Sequence, residues 1–526
     1  MIFASHDLPT DLDALRALLL DERAQHAAER EQRTLAEAEI ARLRQIIQAL
    51  QRHRFGRRSE RLDADQLALA LEDLEQAIAA ADAAAEAAEK PAATKPPARQ
   101  RRSTNRGALP AHLPRVEILV DVADKSCPCC GGALHKIGED RSSRLDLVPA
   151  RFQVEVTVRP KYGCRACTDG VVQAPAPARL IDGGLPTEAL LAHVIVAKYA
   201  DHCPLYRQAQ IYARQGVDLD RSTLADWVGR AAWYLKPLQA HLLDDLKAST
   251  KLYADETTAP VLDPGRGRTK TGKFWTYVRD DRPWNGQNPP AAVYIYAPDR
   301  KAERPIAHLD GFAGILQVDG YGGYRPLAAT GKVQLAFCWS HVRRQFYEIA
   351  KGGSAPIADE ALERISQIYA VEAAIRGRSA EARRAARETS SRPLVEALRL
   401  WLEQQLTKVS QKAKIADAIR YALTRWDGLG LFLDDGRIEL DSNAVERAIR
   451  PITLNRKNAL FAGSDAGGDN WGVIASLIET CKLNGVDPQA YLATVLTKLA
   501  NGHLASRIHE LMPWRFRQEP SQSKVA

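Results

Sequence analysis

Hydrophobic positions along the chain change period more than once, and each change marks a different kind of element. Residues 10–55 are rich in Ala, Leu, Glu, Arg and Gln and hold no Gly or Pro, which predicts helix. Within them Ile40, Leu43, Ile47 and Leu50 follow the three-four spacing of a coiled-coil seam, although the same register upstream meets Glu29 and Arg33. A dimerising helix and a surface helix packed on its own chain both satisfy this pattern. A second helical piece, Leu62 to Glu89, runs into Lys90-Pro-Ala-Ala-Thr-Lys-Pro-Pro and Arg101-Arg102, a Pro- and Ala-rich basic stretch expected to be a disordered linker. Val154, Val156 and Val158 then alternate as a strand would. From Thr187 to about Leu246 the period returns to that of a helix, with further helices expected at Leu205–Gln215 and Ser222–Leu243. Gly216 to Trp227 offers a turn, a Ser N-cap and an amphipathic start, which suits a helix-turn-helix, a hairpin also common without DNA binding.

After Lys251 the period becomes two. Lys251–Ala259, Phe274–Val278, Ala291–Tyr296, Gly314–Asp319 and Val333–Phe337 read as strands, with helices at about Arg300–Leu309 and Ser340–Ala350. Three strands, a helix, two strands and a helix predict a mixed sheet with helices against it. Residues 355–430 are almost wholly helical and read as an insertion, and Trp471–Leu499 is helical again. The chain is therefore expected to be a multidomain α+β protein.

Length supports that reading, because 526 residues exceed what one hydrophobic core usually organises. A composition of 45% hydrophobic and 26% charged residues is that of a soluble protein. No apolar run approaches the ~20 residues that cross a bilayer, and Met1–Thr10 lacks the pattern of a signal peptide, so a cytoplasmic location without membrane contact is expected. The net charge of +8 tilts the partner toward nucleic acid. Gln51–Arg61, with five arginines (among them Arg57 and Arg58), is equally a solvated face or a contact to a DNA backbone.

Five of the eight cysteines cluster. Cys127 and Cys130 with Cys164 and Cys167 make two Cys-x-x-Cys pairs, which can supply four thiolates tetrahedrally to a structural Zn2+. Cys129 lies inside the first knuckle and is not expected to be a ligand.

The acids carry the remaining chemistry. Strand alternation places Asp255 with Tyr253 and Thr257 and turns Glu256 to the other face. Asp319 ends a strand before Gly320-Tyr-Gly-Gly; alone it would read as a turn residue. Glu446 stands in Asp441-Ser-Asn-Ala-Val-Glu-Arg-Ala-Ile-Arg450, where the spacing from Asn443 also fits a capping box and Pro451 is expected to end or kink a short helix. The Gly463–Gly468 loop lacks the ending of a nucleotide-binding loop and reads as a turn beside DNA.

Six motifs occur in one order. They are Tyr253-Ala-Asp-Glu-Thr, Val318-Asp-Gly-Tyr, Cys338-Trp-Ser-His-Val-Arg-Arg-Gln-Phe346, Asn443-Ala-Val-Glu-Arg-Ala-Ile-Arg-Pro451, Gly463-Ser-Asp-Ala-Gly-Gly468 and Ser476-Leu-Ile-Glu-Thr-Cys-Lys-Leu-Asn-Gly-Val-Asp-Pro488. Together with Arg-Phe-Gly-Arg-Arg-Ser-Glu at 54–60 and the zinc knuckles, they resemble the bacterial transposases of the insertion sequence 66 family across nearly the whole chain.

The resemblance implies a DDE transposase with a ribonuclease-H-like core. It implies Asp255, Asp319 and Glu446 as the triad holding Mg2+ (or Mn2+), with 63 and 126 residues between them. Cys338 and His341 match a Cys-x-x-His found after the second acid in some such enzymes and read here as a packed pair beside the ligands. Arg57, Arg58, Arg101, Arg102, Arg343, Arg344, Arg447 and Arg450 are the candidate DNA contacts. The expected layout is a helical segment at 1–55, helix and linker at 56–115, a zinc-ribbon module at 116–176, a helix-turn-helix-like region at 177–249, the catalytic domain at 250–462 and a helical tail at 463–526. Element ends and target DNA, a second copy of the chain and accessory proteins of the same element are the implied partners, in a bacterial, nucleoid-associated setting. A DNA-binding regulator with a silent catalytic domain and a structure-specific nuclease remain alternatives on the residues alone.

Overall fold

One long strand sets the layout. In the computed structural model, which describes residues 151–163, 171–263 and 268–517, β3 runs from Lys251 to Asp263 at the middle of a five-stranded sheet. β4 (Arg268–Arg279) pairs with it antiparallel, Asp255 opposite Thr276 and Glu256 opposite Trp275. β5 (Ala291–Ala297) pairs antiparallel with β4 and forms one edge. On the other side β6 (Gly314–Val318) pairs parallel with β3, and β7 (Val333–Phe337) pairs parallel with β6. The order is thus β5-β4-β3-β6-β7. Parallel pairing requires crossovers; α4 (Glu303–His308) lies before β6, and α5 (Arg325–Ala328) before β7. A separate two-stranded ribbon joins β1 (Lys161–Gly163) to β2 (Val171–Gln173).

Ahead of the sheet lie α1 (Glu188–Tyr199), α2 (Leu205–Ala213) and α3 (Arg221–Lys247). The N-cap of α3 is Asp220, whose Oδ1 accepts from the Ser222 N–H at 2.7 Å, not the expected Ser222. An aspartate two residues back reaches that amide directly and takes the capping position. The far half of α3 packs against the sheet: Gln239 Nε2 donates to the Tyr294 carbonyl at 2.7 Å, and Asp245 pairs with Arg279 at 2.7 Å.

After β7 come α6 (Trp339–Ala350), α7 (Pro356–Ile375), α8 (Ala380–Lys408), α9 (Lys414–Leu423) and α10 (Trp426–Asp434). The chain returns through α11 (Asn443–Ala459), α12 (Asp465–Leu483) and α13 (Pro488–Ala500). The core has two parts. One gathers most of the sheet with α1–α3 and α11–α13, and the other gathers α6–α10 against the β7 end. Burying apolar side chains at ~1.5–3 kcal/mol each is what holds such layers together.

α12 covers the sheet edge. Its Ser476 Oγ accepts from the Tyr294 N–H at 2.9 Å, and Thr480 Oγ1 accepts from the Ala292 N–H and donates to its carbonyl, each at 3.1 Å. These side chains satisfy an edge that would otherwise pair with another chain. Gly472 permits the approach, since a Cβ there would lie 2.7 Å from the Tyr294 carbonyl.

Several expectations change. Val154, Val156 and Val158 lie in no strand and are 88%, 74% and 78% exposed, because no described element covers them. The helix expected to stop near Pro451 continues to Ala459; the Tyr294 hydroxyl donates to the Ala448 carbonyl at 2.6 Å beside the position where the proline breaks the ladder. Trp471–Leu499 is two helices, broken between Leu483 and Pro488. The N-terminal helices, the linker, Cys127, Cys130, Cys164, Cys167, Arg57, Arg58, Arg101 and Arg102 lie outside the described residues.

Candidate active site

Asp255 sits on β3 opposite Thr276 of β4, two residues past Tyr253, the last β3 residue paired with β6, and most neighbouring side chains on the strand are buried. Its Oδ1 accepts from the Glu256 N–H at 2.7 Å. Burial, and then the negative charges of Asp319, Glu256 and Glu446, hold the Asp255 carboxyl well above the usual carboxylate range, with His341 pulling the other way. Four ionisable neighbours from four segments therefore act on one carboxyl group. That is costly for a fold and useful for a cation.

Asp319 follows the last residue of β6. Its Oδ1 accepts from the Tyr321 N–H at 2.8 Å, a turn of the kind aspartate favours, and its carbonyl accepts from the Tyr421 hydroxyl at 3.0 Å. Gly320 turns the chain with φ +105°, and a Cβ there would lie 2.7 Å from Arg425 Nε.

Glu446 occupies the first turn of α11. The capping-box alternative does not describe this helix start: Ser442 is the N-cap, and the Asn443 N–H is taken by Asp441 Oδ1 at 3.2 Å. Ser442 Oγ instead donates to Glu446 Oε1 at 3.1 Å. The segment before the helix is clamped to the sheet from two strands. Buried Gln317 on β6 donates through Nε2 to the carbonyls of Glu439 and Asp441 at 2.7 and 3.0 Å. At the end of β7, the Trp339 N–H donates to the Leu440 carbonyl at 2.8 Å, and Cys338 Sγ accepts from the Ser442 N–H at 3.2 Å. Farther along α11, buried Arg456 donates to the Thr258 carbonyl at 2.6 Å, tying the helix to β3.

Cys338 and His341 stand at the start of α6, and one ligand atom from each of Cys338, His341 and Glu446 lies within 4.8 Å of the others. Burial disfavours the charged imidazole, but Cys338, Glu446 and Asp319 outweigh it and raise His341 to about 10. Asp441 is raised to about 6, by burial first and then by Glu439 and Glu446.

Glu256, which strand alternation turns away from Asp255, is buried in an ion pair with Arg300, whose guanidinium lies over the Tyr321 ring at 4.0 Å. Burial raises its carboxyl to about 7 against the pull of Arg300. Arg447 and Arg450 are exposed on α11, and Arg343 and Arg344 are half-buried on α6. A cavity of about 390 Å³ beside Gly320 is lined by Tyr321, Arg325, Thr424, Arg425 and Asp427, so the turn between α9 and α10 and the start of α10 supply part of its wall. Gly463–Gly468, expected as a turn, is instead the start of α12: Ser464 is its N-cap, with Oγ accepting from the Gly467 N–H at 3.0 Å, and Asp465 bonds Lys270 and Tyr296, each at 2.6 Å.

Gln317, Ser442, Arg456 and Arg300 carry positioning roles that the sequence reading did not assign. Only Gln317 had a signal, as a polar residue inside the apolar run Ile315-Leu-Gln-Val318.

Among the described residues no helix is long and apolar enough to cross a membrane. The sequence matches the families described as Transposase IS66 family over residues 183–470, IS66 C-terminal element over 476–514, zinc-finger binding domain of transposase IS66 over 124–168 and Transposase C of IS166 homeodomain over 42–118. Similar proteins from Sinorhizobium fredii (strain NBRC 101917 / NGR234) include the uncharacterized protein y4qI, 44% identical with 99% of each chain covered. The uncharacterized protein y4jD of the same organism is 42% identical, again with 99% of each chain covered. The zinc-finger match spans residues 124–168, which hold the two Cys-x-x-Cys pairs, and suggests zinc in that module. This chain belongs to the IS66 family of transposases, a class of enzymes acting on DNA.

Proposed function

We propose that the chain cuts DNA at the ends of a mobile element and joins the freed 3′ ends to target DNA, with Asp255, Asp319 and Glu446 as the cation-binding triad. The observation that carries this is the state of Asp255: a carboxyl on the central strand, pushed up by burial, then by Asp319 just after β6, by Glu256 and by Glu446 of α11. The donor set is oxygen only, which fits a hard cation such as Mg2+ or Mn2+. Bound there, such ions would activate the attacking oxygen and stabilise the leaving one in an in-line displacement.

The chain's own residues do the positioning. Gln317, Cys338 and Ser442 hold the approach to α11 so that Glu446 faces the sheet, and Gly320 lets Asp319 end its strand without a side chain in the way of Arg425. Exposed Arg447 and Arg450, with Arg325 and Arg425 of the neighbouring cavity, offer positive charge to a phosphate backbone. The sheet order, three antiparallel strands followed by two parallel ones with an acid on the central strand and another beside it, supports a ribonuclease-H-like core. The N-terminal helix as a dimer contact, α2–α3 as a DNA reader and the module boundaries given above belong to the same proposal.

The test is incubation of the purified full chain with a labelled element-end fragment, target DNA and Mg2+. Nicking and joining are expected. A shifted but uncut fragment would point to a regulator, and cleavage without joining to a nuclease. In the same assay Asp255→Asn, Asp319→Asn and Glu446→Gln are each expected to abolish joining while end binding persists. Undiminished joining in any of them removes that residue from the triad.

A further inference from the structure

Glu446 faces two different sets of donors. Its charge acts on the Asp255 carboxyl of β3, and toward α6 it meets Cys338 and His341, one ligand atom of each within 4.8 Å of the others. Replacing two oxygens by a sulfur and a nitrogen changes which cation the set prefers. Thiolate and imidazole select a softer ion, and zinc far exceeds magnesium on such ligands.

The surroundings are those of a built site. Ser442 alone orients two of the three ligands from behind, its N–H donating to Cys338 Sγ at 3.2 Å and its Oγ to Glu446 Oε1 at 3.1 Å. Ligands held by such outer hydrogen bonds are typical of metal centres. Ser340 Oγ lies 2.9 Å from the same sulfur. Cys338 is 1% exposed, so it is not a surface thiol. The His341 ring is largely enclosed, and its Nδ1 is buried with no hydrogen-bond partner, a polar atom whose need the protein leaves open.

We propose that Cys338, His341 and Glu446 form a second cation site, for a thiophilic divalent ion such as Zn2+. Three protein ligands leave a fourth tetrahedral position open for water or a phosphate oxygen. The site shares Glu446 with the carboxylate triad, so an ion held there withdraws that acid from the hard cation. Only this last consequence, inhibition of the Mg2+-dependent reaction by zinc, rests on the function proposed above.

The experiment is zinc stoichiometry on the full chain, stripped with chelator, re-equilibrated with Zn2+ and freed of loose ion. Wild type is expected to retain about two equivalents, one at the Cys127, Cys130, Cys164 and Cys167 knuckles and one here. Cys338→Ser and His341→Gln are each expected to lose about one equivalent, and Cys164→Ser to lose the other. Co2+ in place of zinc should give a thiolate charge-transfer band that Cys338→Ser weakens and His341→Gln shifts. A wild type holding only about one equivalent overturns the proposal, whether or not the variants fold. So do folded variants that retain both ions. Because binding is read without DNA, failure of the transposition chemistry would leave this result standing.

Discussion

Replacing Asp255 by Asn should make the metal-free protein more stable while removing its activity. The substitution keeps the shape of the side chain and the Oδ1 acceptor used by the Glu256 N–H at 2.7 Å, so the local hydrogen bond survives. What disappears is a charge that burial, Asp319, Glu256 and Glu446 all disfavour. The sign follows from linkage. The folded-state carboxyl is raised, so its share of stability is complete below the unfolded value of about 4 and is lost as pH rises through the folded value. At about pH 8 without metal, wild type has therefore lost stability through this carboxyl that Asn, which does not titrate, keeps. Relief of such strain at a functional site is worth about 1–2 kcal/mol, a rise of a few degrees in Tm for the unit containing the sheet. The assay is thermal unfolding of both proteins in chelator at about pH 8 and about pH 4.5, repeated with Mg2+. Asn should melt higher at the alkaline pH, the gap should narrow at the acidic one, and Mg2+ should raise wild type more than the variant. A variant that melts lower at pH 8, or by the same margin at both pH values, refutes the electrostatic account of the site.

Glu256→Gln should be far milder for activity than Asp255→Asn, since Glu256 is spent on Arg300; equal losses in a joining assay would mean that both acids serve the cation. Its carboxyl is raised to about 7, so wild type loses stability as pH rises toward neutrality, and the Gln variant should show a shallower decline in melting temperature across that range. Gln317→Leu strands two partly buried carbonyls and should cost about 1–3 kcal/mol by urea unfolding, with joining falling more than DNA binding. Unchanged unfolding would show that the Glu439–Asp441 segment is held elsewhere. Gly320→Ala forces a side chain onto φ +105° within 2.7 Å of Arg425 Nε and should cost about 1–3 kcal/mol; a neutral result in the same unfolding assay would mean that the turn after Asp319 can rearrange freely.

Much of the sheet was legible because its signals are local. Period-two runs at 251, 274, 291, 314 and 333 mark where side chains alternate between buried faces, and the strands appear there, β3 and β4 longer than expected, β5 and β6 within one residue and β7 with the expected bounds. β3 runs four residues past the expected Ala259 because β4 supplies partners as far as Arg268, and pairing sets a strand's length more than composition does. The valines at 154–158 carry the same period and form no strand, since no described element lies beside them. At α3 the Ser222 cap was misplaced by two residues, a competition between neighbouring side chains for one amide that residue type alone does not settle. At α11, Pro451 suggested a stop that packing overrode: the helix is buried along Val445, Ile449 and Ile452 and carries the proline through.

The acids themselves were readable, being carboxylates at a strand middle, a strand end and a helix start, linked by a family resemblance that spans the chain. Their environment was not. That Glu256 closes onto Arg300, that Gln317 reaches the carbonyls of residues 439 and 441, and that Ser442 serves a cysteine and a glutamate at once are contacts between segments up to 124 residues apart. Periodicity and capping chemistry act over a few residues, so they mark which side chains are offered on which face. Which of those side chains meet, and so which charges are opposed and which are answered, is decided only when the parallel strands close against β3 and α11 returns across β3 and β4.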